Sequence, residues 1–353
     1  NEVVAELRRA RRQVKMPKRA RSKCSKKSDT GERKMASHMT HFYMAEKVLE
    51  RSAGKARTFM DDYSDCFYLG CQGNDLLFYS FTKFKGFAGI THTRGTFELF
   101  KRMCSFVKTA KRGDLRSYLY GFICHYTLDR IIHPYVIYCS SKYLPSFFPL
   151  KYKKSLHLML EAGIDFVIQR DKLDKKHPGC NCDYILKDSP RVCECLADMY
   201  SGAVNPIYGV NMPYEELLAL PCRMRSYQKI FENNKSLTYT LLMTAGAIMN
   251  YPSYIYGFRK PRKKYSKVDW MNLNRRLYPS VTGGNRMISM TVQEMITKSI
   301  DDAVRIIAMA DKFIDEDVPL DENEFEINFM GSKSLPVSPK GYDKKALRAK
   351  ENK

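Results

Sequence analysis

Tryptophan occurs once in these 353 residues, at Trp270, and histidine only seven times. Long apolar runs are missing as well. No stretch reaches the ~20 consecutive apolar residues that a membrane-spanning helix requires. The nearest, Leu237 to Phe258, is broken by Thr, Asn250, Pro252 and Ser253, so no transmembrane segment is expected and the chain reads as soluble. Behind Arg8, Arg9, Arg11 and Arg12 come more Lys/Arg and no apolar core. This is not the pattern of a secretory signal, and a cytoplasmic location is the expectation. Alternating strand patterns are scarce, with only short, weak candidates at 135–139 and 325–329, and no internal repeat emerges. The expected fold class is all-α.

The charge is lopsided. Of a formal net charge of +22, residues 1–34 carry +9 and residues 332–353 carry +5, leaving +8 for the rest. Residues 1–34 lack apolar periodicity and read as a basic disordered arm, and 332–353 as a basic disordered tail. One folded domain over 35–331 remains, with Met35 opening Met-Ala-Ser-His-Met-Thr-His as an equally good start. Its basic balance would suit phosphate-bearing partners, either anionic lipid or nucleic acid, or simply solvate the surface.

Eleven cysteines are an odd number, and without a signal they are expected to be reduced. Cys180, Cys182, Cys193 and Cys195 form two C-x-C pairs that could hold a structural zinc, although paired zinc ligands are usually separated by at least two residues.

Helical periodicity predicts elements near 42–51, 96–110, 115–132, 151–171, 191–201, 214–220, 222–250 and 289–314, with Pro134 ending or kinking the fourth-named stretch's predecessor near His133. The aromatic run 58–81 contains Gly70, Gly73 and Asn74, where a helix should give way to a turn.

Against this background the histidines are arranged in an informative order. Five of the seven fall in a series with carboxylates: His41, Asp75, His92, His125, Asp129, His133, His157, Glu161. The i,i+4 pairs His125/Asp129 and His157/Glu161 put both side chains on one helix face, where each pair can grip a divalent ion. His125, Asp129 and His133 advance by about 40° per four residues, a fan that suits neighbouring ions better than one. Asp129 could bridge two of them. A lone histidine on an apolar helix is more often a satisfied core residue, but two such pairs in consecutive helices favour metal.

These residues also carry a family resemblance. Thr40-His41, the segment Gly70-Cys-Gln-Gly73-Asn-Asp75-Leu-Leu-Phe-Tyr79, His92, the segment Ser117 to Tyr135 and His157-x-x-x-Glu161 resemble the zinc-dependent phospholipase C family, itself related to the P1/S1 nucleases. Asp269-Trp-Met-Asn-Leu-Asn274 is a weaker match, and the resemblance spans roughly 35–310. It implies an all-α fold with a cluster of two or three zinc ions. Asp75, His92, His125 and Asp129 would hold one ion, and His133, His157 and Glu161 a second. His41 would hold a third with Asp129 as bridge. Secreted relatives complete that third position with an N-terminal Trp, which this chain lacks there.

The implied activity is hydrolysis of a phospholipid to diacylglycerol and a phosphorylated head group, with Asp75 as base or orienting group. Two alternatives are a P1-like single-strand nuclease and a non-catalytic, zinc-stapled domain that binds lipid or protein. Phe78, Tyr79, Phe81, Phe84 and Phe87 could face acyl chains or bases, but most are expected in the core. The run Arg259-Lys-Pro-Arg-Lys-Lys264 could touch a membrane surface or nucleic-acid phosphates, or be a solvated loop.

Overall fold

The computed structural model describes residues 38–80, 84, 86–148, 153, 155–232, 241, 267–281 and 286–337. The expected basic arm, Phe81, the run Arg259 to Lys264, nearly all of 233–250 and the tail past 337 lie outside the described residues. The main elements are α1 (His38–Arg51), α2 (Gly54–Asp62), α3 (Ser64–Gly70), a 3₁₀ turn (Gly73–Tyr79), α4 (Phe87–Thr91), α5 (Thr96–Ala110) and α6 (Gly113–Lys142). Then come α7 (Leu156–Ile168), α8 (Pro190–Met199), α9 (Tyr214–Glu232), β1 (Tyr278–Pro279), β2 (Met287–Ile288) and α10 (Val292–Glu316). The architecture is all-α, with one two-residue antiparallel ladder, β1 to β2, among the described residues.

Helix α6 is the axis of the molecule. Every residue from Asp114 to His133 is buried, as expected of a helix enclosed on all sides rather than amphipathic. Around it pack α1, α3, α7 and α10. Contact with α3 is backbone to backbone: a Cβ on Gly70 would overlap the Tyr118 carbonyl, and one on Gly121 the Phe67 carbonyl. That close crossing brings the 3₁₀ turn against the middle of α6. Helix α10 starts with a reciprocal cap between Thr291 and Glu294. It is fixed to α6 by Arg130 to Asp302 at 2.6 Å and by Arg116 to Asp315 at 2.7 Å, so the acid-rich run after residue 314 begins by partnering α6.

Several expectations need correction. Helix α6 does not stop near Pro134 but runs on to Lys142 and absorbs the strand candidate at 135–139. Proline removes one intrahelical hydrogen bond, yet the residues beside it are held from outside. His133 Nδ1 meets the Phe329 carbonyl at 2.6 Å, and Tyr135 Oη donates to the Trp270 carbonyl at 3.2 Å. Pro221 likewise lies inside α9 and joins the two stretches expected on either side of it. Its buried neighbours Leu217, Leu220 and Met224 keep one continuous apolar face. The strand candidate at 325–329 is a 3₁₀ turn followed by an isolated bridge from Ile327 to Lys333. Beyond 331 the chain still packs: Leu335 N donates to Thr93 O at 3.0 Å, and Gly95 N to Leu335 O at 2.8 Å.

Candidate metal centre

Three helices and one turn converge on Asp129 of α6. Its Oδ2 lies 3.3 Å from His125 Nε2, 3.8 Å from His92 Nε2 and 3.8 Å from His133 Nδ1. Its Oδ1 is 3.3 Å from His41 Nε2 on α1. The 3₁₀ turn contributes Asp75, with Oδ1 at 3.2 Å from His92 Nε2. Helix α7 contributes Glu161, whose Oε1 is 3.0 Å from His157 Nε2 and 3.5 Å from His133 Nε2. All eight residues singled out in the sequence therefore sit in one place. They form three sets of mutually close ligand atoms: His41, His125 and Asp129; Asp75, His92 and His125; His133, His157 and Glu161.

The donor set fits zinc on a physical test independent of its composition. His41 Nδ1, both ring nitrogens of His125 and Asp129 Oδ2 are buried without a hydrogen-bond partner. Leaving polar atoms dry and unpaired costs ~1–3 kcal/mol each. A cation that takes the single lone pair of each ring and one from the carboxylate removes part of that cost, and imidazole with carboxylate is a ligand palette zinc accepts.

Surrounding groups fix the orientation of the rings. His92 Nδ1 lies 2.6 Å from the Ala88 carbonyl, and His133 Nδ1 lies 2.6 Å from the Phe329 carbonyl. A carbonyl can only accept, so each Nδ1 carries a proton and Nε2 is left as the ring atom that faces the cluster and could ligate a metal. Gly73 makes room for His125, because a Cβ there would overlap that ring. On the far side of α1, the Asp165 carboxylate accepts from Met39 N at 3.1 Å, Thr40 N at 2.8 Å and Thr40 Oγ1 at 2.6 Å. Since Asp165 stands one turn after Glu161 on α7, it ties the start of α1, and hence His41, to the helix carrying His157 and Glu161.

Protonation follows the burial. His125 is fully buried and is pushed down to about 4. Burial also opposes charge on His133, but the Asp129 and Glu161 carboxylates outweigh it and raise the ring to about 9. Burial would raise Glu161, yet His157 and His133 hold it down at about 2. Asp129 is buried too, and His125, His133 and His41 nevertheless hold it well below the usual carboxylate range.

Sequence reasoning missed Asp165, the carbonyl of Phe329 and the spatial role of Gly73. Of the aromatic run, Tyr79, Phe84 and Phe87 are buried core, whereas half-buried Phe78 stacks on the His92 ring at 5.5 Å. The two histidines outside the series pair with other acids, His38 with Asp165 and Glu232, and His177 with Glu46.

The four C-x-C cysteines do not converge. Cys182 Sγ faces the Arg225 carbonyl at 3.8 Å and Cys195 Sγ the Asp114 carbonyl at 3.4 Å. Among the described residues no cysteine joins a potential metal group, and the ten described cysteines are free thiols.

No curated protein and no solved structure matches the chain. A family does: residues 40–205 match the family described as zinc dependent phospholipase C. That span contains all eight residues of the cluster, and its fold is the helical one described above. That match supports membership of the zinc-dependent phospholipase C family over residues 40–205.

Proposed function

We propose that the cluster is the catalytic centre of a phosphodiester hydrolase that cleaves a phospholipid to diacylglycerol and a phosphorylated head group. The observation that carries this reading is that two ligand sets share no residue, Asp75/His92/His125 and His133/His157/Glu161, with the Asp129 carboxylate within 3.8 Å of a histidine of each, which provides for more than one cation within reach of a single phosphate. When bound, zinc lowers the pKa of water and offsets the negative charge that makes a phosphodiester resist attack.

The chain's own residues set direction and proton traffic. Exposure grows across the cluster, from His125 at 0 % to His157 at 18 % of the side chain. Substrate therefore reaches the His157/Glu161 side, while His41, His125 and Asp129 form the closed floor. Asp75, at the edge of the floor, is the group we assign to orienting the attacking water and accepting its proton. A base must sit within hydrogen-bond reach of that water, and Asp75, 3.2 Å from His92 Nε2, would meet this condition for a water held beside His92. Phe78 shields the outer face of His92 and would keep that ring dry.

The test is zinc content by elemental analysis on the purified chain, followed by turnover of a short-chain phosphatidylcholine with detection of diacylglycerol. Two or three zinc ions per chain with diacylglycerol release support the reading. Cleavage of single-stranded DNA in place of lipid would move the chain to a nuclease role, and bound zinc without turnover of either would make the metal a staple.

A further inference from the structure

Residues 267–281 are fixed onto the two helices that carry most of the cluster, yet they hold apolar side chains outward. Trp270 is buried against Gly163 of α7, where a Cβ would overlap its indole, two residues past Glu161. Tyr135 Oη of α6 donates to the carbonyls of Asp269 and Trp270, both at 3.2 Å. From this anchor the chain turns through Asn272 at φ 53° and Arg275 at φ 51°, left-handed conformations uncommon for residues other than glycine. The turn is held by its own side chains. Asp269 accepts from Leu273 N at 2.7 Å and Asn274 N at 2.8 Å, and Asn272 Oδ1 accepts from Arg276 N at 2.9 Å. Leu273, between the two left-handed residues, is 73 % exposed. Such a turn holds its leucine in water by construction.

The ladder that follows does the same. Tyr278 pairs with Ile288 and Pro279 with Met287. Strand alternation sends Tyr278 into the core and turns Leu277, Pro279 and Met287 outward. Leu277 is 55 % and Met287 41 % exposed. Pro279 continues into an open groove of about 500 Å³ shared with Ile137, Tyr138 and Met330. Cations adjoin this segment along the chain: Lys267 opens it, Arg286 precedes Met287, and Lys142 precedes Tyr143, whose hydroxyl accepts from Asp269 N at 3.3 Å. Lys142, Lys267 and Arg286 are exposed, and none of them has a carboxylate partner among the described residues.

We propose that this face docks on an anionic lipid bilayer, with Leu273, Leu277 and Met287 entering the interface and Lys267 and Arg286 meeting lipid phosphates. The proposal rests on the lipid-hydrolase reading above for its choice of occupant, and on charge for its exclusion of a second copy. An apolar patch with a cationic rim is the arrangement that binds anionic membrane surfaces, whereas two such rims on chains of net charge +22 repel one another. Docking would then reach the metal centre through Trp270, packed against Gly163 of α7, and through Tyr135 of α6.

The experiment is co-sedimentation of the full zinc-loaded chain with vesicles of two parts phosphatidylcholine to one part phosphatidylserine. It compares the parent with Leu273→Ser/Leu277→Ser/Met287→Ser and with Lys267→Glu/Arg286→Glu. Turnover of a dispersed short-chain phosphatidylcholine below its micelle concentration reports on site integrity. Vesicle partitioning should fall at least ~10-fold in the apolar triple variant, with dispersed turnover unchanged. The charge variant should bind weakly and lose its salt dependence. Equal partitioning of parent and triple variant would overturn the proposal, as would a concentration-dependent dimer of the parent that the triple substitution disperses. Vesicle binding with the expected variant pattern but no lipid turnover would uphold the docking face and remove the hydrolase reading instead.

Discussion

Gly73 and His125 meet with no room for a side chain between them, since a Cβ on Gly73 would overlap the imidazole. The glycine also sits at φ 48°, where an L side chain is strained. Gly73→Ala therefore faces both a clash and an unfavourable backbone. Overpacking costs ~1–3 kcal/mol and the left-handed conformation another ~1–2 kcal/mol. Denaturant unfolding should show a loss in that range, and zinc titration should show affinity weakened at least ~10-fold. An alanine variant with unchanged zinc affinity would mean that the turn holding Asp75 does not need its present position.

Asp75→Asn keeps the shape of the side chain and removes its charge. General-base roles contribute ~10²–10⁴-fold, so turnover should fall at least ~100-fold while the unfolding midpoint stays near that of the parent. Retained turnover would take Asp75 out of the proton-transfer role and leave it, at most, a ligand.

Stability of the zinc-free protein should peak near pH 6.5. His133 is raised from 6.5 to about 9; its contribution is complete below 6.5 and disappears as pH rises through 9. His125 is depressed to about 4, so the unfolded chain gains protons first and stability declines between pH 6.5 and 4. Glu161, lowered from 4.5 to about 2, adds a further loss as pH falls from 4.5 through 2. Zinc displaces the proton from His133. Melting temperature measured against pH with and without chelator should therefore show the decline from pH 6.5 to 9 only in the chelated sample.

Asp165→Ala removes the carboxylate that takes three hydrogen bonds from the first turn of α1. Such bonds to a charged acceptor contribute ~1.5–3 kcal/mol each and are not additive, so a total loss of ~3 kcal/mol is expected. Zinc affinity should fall as well, because His41 loses its anchorage. Asp165→Glu, with the same charge on a longer stem, should restore part of the stability. Thermal denaturation and zinc titration of both variants provide the check.

The metal cluster was legible because its chemistry is written in local spacing. His125/Asp129 and His157/Glu161 declare a shared helix face at i,i+4, whereas His41, Asp75 and His92, which precede them, were legible only through the family resemblance. Other parts depend on contacts across the chain. Asp165 has the pattern of any polar residue on α7, and only its distance to Thr40 gives it a role. Pro134 and Pro221 read as breaks because local sequence carries the cost of proline without the packing that offsets it. The stretch 325–329 read as a weak strand, although Phe329 places its backbone carbonyl on His133 and its ring against His92 and His125 at 5.5 and 5.7 Å.

That last residue sets an order of events during synthesis. His125 and His133 leave the ribosome some two hundred residues before the carbonyl that orients the His133 ring, which lies 196 positions further on. A nascent chain that has passed residue 161 but not reached residue 329 carries all eight candidate ligands and still lacks part of the wall that encloses them. The enclosure of the candidate centre is therefore completed only after every one of its ligand side chains has been synthesised.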